Sequence, residues 1–118
     1  MKINKKFDRE VIVEGNRLLV ISCRKAIERS RCSEGAYQNV KCSFKTAKQL
    51  YSSIRLNNKK LYEEWMRKTV IYLEAESRAD RYRLRPTLDR IDSNGHYFIN
   101  NLQVLTFGEN ASKAQMRK

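Results

Sequence analysis

At 118 residues the chain is long enough for one domain around one modest core and too short for two comfortable ones. Lys and Arg total 25 against 13 Asp and Glu, a formal charge of +12, which exceeds what solubility requires and suits a polyanionic partner. Nucleic acid is the expected partner, and a merely soluble basic protein is the bland alternative.

No stretch approaches the ~18 apolar residues of a membrane span, and "MKINKKFDRE" turns charged again before a secretory core could form. A cytoplasmic protein without a membrane partner is therefore expected. Cys23, Cys32 and Cys42 are odd in number and contain no C-x-x-C pair, so neither a disulfide framework nor a structural zinc site is expected. A zinc site completing those three with His96 matches no common ligand spacing.

Taken in chain order, "EVIVEG" alternates weakly and reads either as a strand or as a helical extension ending at Gly15. From about Asn16 to Arg31, Leu19, Cys23, Ala26 or Ile27, and Ser30 recur at helical steps, while Arg24, Lys25, Arg29 and Arg31 form a basic face. "CSEGAYQN" has loop composition, "VKCSF" is short and β-prone, and "KTAKQLYSSIR" predicts a helix. After the interruption at "LNNKK", an Asn58 cap opens another helix with Leu61, Trp65, Thr69 and Leu73 on one stripe and Tyr62 and Met66 beside it. Trp65 is read as a core anchor rather than a base-stacking platform. "ESRADRYRLRP" offers Arg78, Arg81, Arg83 and Arg85, either as a solvated connector or as a phosphate-tracking segment.

Pro86, the single proline, separates this mainly helical part (1–85) from a C-terminal module (86–118), and together they predict one α+β domain. "TLDRI" and "NLQVLT" read as two strands joined through "DSNG". Thr106 followed three residues later by Glu109 is a capping box that should open a helix running to near Arg117. Phe107, Ala111 and Ala114 are expected to face the hairpin, leaving Asn110, Lys113 and Arg117 on another side. Asp89 at the first strand's end and Asn110 in the helix's opening turns would then meet. One anionic and one neutral oxygen donor suit a hard cation such as Mg²⁺ or Mn²⁺, and so metal-assisted phosphodiester cleavage.

"RPTLDRIDSNGHYFINNLQVLTFGENASK" resembles the C-terminal signature of phage and mobile-element HNH endonucleases, and "RSRCSEGAYQNVKCSF" with the later "EEW" is similar to landmarks upstream of it in one subgroup. The likeness spans about residues 20 to 115. It implies an HNH-like ββα-metal module with Asp89 as ligand, Asn101 bracing the loop and Asn110 as second ligand, in a DNA endonuclease or nickase of a bacterial host's cytoplasm. The sequence departs from the family at Arg90, which stands where active members usually carry the histidine that deprotonates water. A guanidinium stays protonated and has no acceptor lone pair, so Arg90 can clamp a phosphate but cannot serve as that base. His96 is the remaining neutral-pH base, either swung toward the metal or decorating the surface. The alternative function is a catalytically silent module of the same fold that binds nucleic acid or a host nucleic-acid machine. In either case Arg78, Arg81, Arg83, Arg85, Arg90, Lys113 and Arg117 are the expected nucleic-acid contacts.

Overall fold

The computed structural model describes residues 7–30, 44–91 and 99–116. In order these form α1 (Arg9–Ser30), α2 (Ala47–Asn57), α3 (Lys59–Glu74), α4 (Arg78–Leu84), β1 (Pro86–Arg90), β2 (Leu102–Thr106), which a single 3₁₀ turn at Ile99–Asn101 leads into, and α5 (Phe107–Met116). The fold is α+β: helices around one two-stranded antiparallel sheet. The segment "CSEGAYQN", most of "VKCSF", and "DSNG" lie outside the described residues. None of the described helices is long and apolar enough to cross a membrane.

The ambiguous "EVIVEG" is helical and belongs to α1. A strand would bury Val11 and Val13 on one face, whereas here Val11 is buried with Leu18 and Leu19 while Val13 is 60% exposed. Gly15 is therefore inside the helix and not at its end. A Cβ there would sit 2.5 Å from Met66 Sδ and 3.3 Å from Thr69 Oγ1, so the missing side chain lets α1 and α3 cross in close contact. Trp65 takes advantage of that approach: fully buried, it donates from Nε1 to the Gly15 carbonyl at 2.8 Å.

Caps set the helix boundaries, at Asn58 as the sequence predicts and at Thr46 where it predicts none. Thr46 Oγ1 accepts from the Gln49 amide at 3.2 Å to start α2. Asn58 closes α2 and opens α3, its Oδ1 accepting from the Leu61 amide at 3.2 Å. The same side chain donates to the Ile99 carbonyl at 3.3 Å, tying the α2–α3 joint to the turn before β2. Of the expected α3 stripe, Leu61, Trp65 and Thr69, with Tyr62 and Met66 beside them, are buried against Leu19 and Cys23 of α1 and Leu50 and Ile54 of α2, while Leu73 near the helix end is partly buried. The Thr69 hydroxyl donates to the Trp65 carbonyl at 2.8 Å, so its burial leaves no unpaired donor.

β1 and β2 pair with Leu88 opposite Val104 and Asp89 opposite Gln103. Strand alternation buries Pro86, Leu88 and Arg90, while Thr87 and Asp89 point to the other face. Leu88, Leu102 and Val104 join the helical core, making it continuous across both parts of the chain. The box expected at Thr106 is formed, with Thr106 N donating to Glu109 Oε1 at 2.8 Å and Glu109 N donating to Thr106 Oγ1 at 3.1 Å. Phe107 packs on α4, its ring centroid 4.7 Å from that of Tyr82, an aromatic contact beyond the hairpin packing expected of it.

Candidate functional site

Asp89 is placed by strand alternation on the face that α5 covers, and its side chain is 14% exposed. Its Oδ2 accepts from Gln103 Nε2 at 3.0 Å across the hairpin and from the Lys113 ammonium of α5. Lys113 Nζ also donates to the Arg90 carbonyl at 2.9 Å. A carboxylate oxygen and a main-chain oxygen thus converge on one positive charge. Lys113, expected among the outward nucleic-acid contacts, is an inward partner of Asp89.

The same alternation turns Arg90 to the core face, where it is 8% exposed. Asn101 ends the 3₁₀ turn, and its carbonyl accepts from the Ile91 amide at 2.9 Å, closing the hairpin just beyond β1. Asp92, His96 and Arg117 lie outside the described residues, as do Cys32 and Cys42; Cys23 is buried in the core of α1.

Asn110, one helical turn before Lys113, lines a different feature. A cleft of about 490 Å³ opens between α1 on one side and β1 with the start of α5 on the other. Arg17, Lys25 and Arg29 of α1 and Arg85 of the α4–β1 junction line it, with Asn110 and Thr87 as neutral polar groups and no carboxylate. Asp89 is not among its lining residues.

Two of the cleft's cations are held in place by neighbours. Arg17 donates to both Glu14 oxygens, at 2.8 and 2.6 Å. Those hydrogen bonds hold the Glu14 carboxyl below, and the Arg17 guanidinium above, their ordinary ranges. Arg85 lies over the Tyr82 and Phe107 rings at 4.8 and 5.1 Å, a stacked orientation that keeps the guanidinium at the cleft wall.

The segment read as connector or phosphate track is a seven-residue exposed helix, α4. Its Ser77 cap accepts from the Asp80 amide at 3.0 Å, matching the Ser-x-x-Asp spacing of "SRAD". Arg81 donates to the Leu73 and Ala75 carbonyls at 3.3 and 3.5 Å and sits over Tyr72, so it caps the end of α3. Arg83 lies against Gly108 at the start of α5. Arg81 therefore ties α4 to the end of α3, and of the four arginines in this run Arg85 alone lines the cleft.

Arg17 is the cleft residue that no motif marks, although Arg17, Ile21, Lys25 and Arg29 recur every four positions along α1 and meet on one side of that helix. No family model, curated protein or solved structure matches the chain.

As folded, the Lys113 ammonium holds Oδ2 and the Arg90 carbonyl, so a divalent ion would take those two oxygens by displacing it.

Proposed function

We propose that the protein binds nucleic acid, double-stranded DNA in the first instance, and takes phosphate oxygens into the cleft between α1 and the β1–α5 module. The cleft itself carries this reading: four cationic side chains and an amide line it without a carboxylate, in a chain of formal charge +12. Arg85 is held in place by its ring partners, which lowers the ordering cost of a phosphate contact, whereas a phosphate at Arg17 would compete with Glu14. Contacts of this kind position a duplex and carry little sequence information.

The test is fluorescence anisotropy of a short duplex across a NaCl series. Replacing both Lys25 and Arg85 with Gln should weaken binding and flatten the slope of log K against log salt by roughly 0.9 for each phosphate no longer neutralised. Replacing both Lys59 and Lys60 with Gln, at the far end of α3 from the cleft, serves as the charge-matched comparison. An effect as large as that of the cleft pair would show diffuse charge attraction and end the claim.

A second reading, metal-dependent strand cleavage by an HNH-like module, is supported by the order β1, β2, α5 with Asp89 on β1 and Asn110 early in α5. Plasmid nicking with Mg²⁺ or Mn²⁺ by wild type, Asp89→Ala and Asn110→Ala tests it. Equal nicking by all three would identify a contaminant. The nucleic-acid-binding reading stands ahead because it requires no rearrangement of Asp89.

A further inference from the structure

The Asp89 carboxylate and the Arg90 carbonyl come from adjacent residues of β1 yet serve one donor. β1 alternation sends the Asp89 side chain toward α5, and the hairpin leaves the Arg90 carbonyl available beside it. Lys113 lies on the α5 turn that passes over this point, and its ammonium reaches both oxygens. Gln103 donates to the same Oδ2 from the facing strand, so the carboxylate is met by one charged and one neutral donor. The pair is shielded more than an ordinary surface ion pair, with side-chain exposures of 14% for Asp89 and 26% for Lys113.

Lys113 has a nearer carboxylate in sequence, Glu109 at the preceding turn. That group is already engaged by the Thr106 amide and by Lys68, whose Nζ lies 3.4 Å from Glu109 Oε1. The capping box thereby leaves Lys113 to Asp89.

We infer that the Lys113 ammonium is the resident cation of a site formed by Asp89 Oδ2 and the Arg90 carbonyl, and that it keeps this site closed to divalent ions. Removing the ammonium while keeping the oxygens converts the position into a divalent-cation site. The inference concerns the carboxylate that the cleavage reading uses, and it is tested on the protein alone. Failure of DNA binding leaves it standing and its own failure leaves DNA binding untouched, whereas Mn²⁺ uptake by wild type through Asp89 would overturn it and favour the cleavage reading.

The experiment titrates Mn²⁺ into wild type, Lys113→Met, Lys113→Gln and the doubly substituted Asp89→Asn/Lys113→Met chain, following free Mn²⁺ by electron paramagnetic resonance. The expected result is no saturable uptake by wild type, uptake by the Lys113 variants with roughly tenfold or greater gain in affinity, and its loss in the double variant. Wild-type uptake that Asp89→Asn abolishes, or folded Lys113 variants that bind no better than wild type, would overturn it. A second measurement needs no Lys113 variant: amine labelling read by mass spectrometry should find Lys113 slower than the exposed Lys59 and Lys60, with Asp89→Asn removing that protection. Equal labelling in wild type also overturns the inference.

Discussion

The α1–α3 part and the β1–β2–α5 part of the molecule are closed by different interactions. Between the helices, Leu19, Leu50, Ile54, Trp65 and Met66 are fully buried, and the few polar contacts, such as Trp65 to the Gly15 carbonyl, complete an apolar interior. The C-terminal part contributes Leu88, Leu102 and Val104 to that interior. It is also held by the Thr106–Glu109 box, the Asp89–Gln103–Lys113 cluster and Arg85 over the Tyr82 and Phe107 rings. Apolar closure is strong and indifferent to salt, while polar closure is weaker and can be exchanged for a ligand's charge. The candidate cleft lies where the two kinds of closure meet.

Four substitutions sharpen or break this comparison. Trp65→Ala removes the largest fully buried side chain and should cost about 3–5 kcal/mol by denaturant titration, a loss unaffected by salt. A cost under about 1 kcal/mol would mean that the helical part is not the stabilising half. Asp89→Asn should cost about 1–2 kcal/mol, because a partly shielded ion pair is lost and Lys113 keeps only carbonyl and amide oxygens. A double-mutant cycle with Lys113→Met measures the coupling. Thr106→Ala removes the cap of α5 and should cost about 1 kcal/mol, with far-ultraviolet dichroism reporting any fraying.

The smallest effect is Glu109→Gln, read through pH. Its backbone hydrogen bond from Thr106 holds the Glu109 carboxyl below its ordinary value, with the nearby Lys68 charge adding to the effect. A lowered folded-state value means that the stabilisation is fully present above the unfolded value near 4.3 and is lost as pH falls through the folded one. Because the side chain is half exposed, the substitution should flatten the acid limb of the stability curve by about 0.3–0.5 kcal/mol. An unchanged limb would place acid sensitivity elsewhere.

Much of the architecture is legible in the residues. Asn58 and Thr106 announce their caps, and the α3 stripe announces its buried face, because local hydrogen bonding and helical period act within a few positions. What escapes is long-range. "EVIVEG" alternates like a strand, and only contact with Met66 and Thr69 explains why Gly15 belongs inside a helix. Lys113 has two acidic neighbours in space, and its choice of Asp89 follows from Glu109 being engaged, which spacing along α5 does not encode. The same holds for Arg81. Its charge suggests a phosphate contact, but the packing of α4 against α3 turns it to the Leu73 and Ala75 carbonyls.

The absent side chain at Gly15 has an effect well beyond the crossing it permits. It sets how closely α3 approaches α1, because a Cβ there would meet Met66 Sδ and Thr69 Oγ1. The row of positive charge from Arg17 to Arg29 is thereby positioned along the groove wall opposite Asn110. An alanine at this position should displace that row relative to the hairpin, detuning the electrostatic landscape of the groove without deleting a single cation.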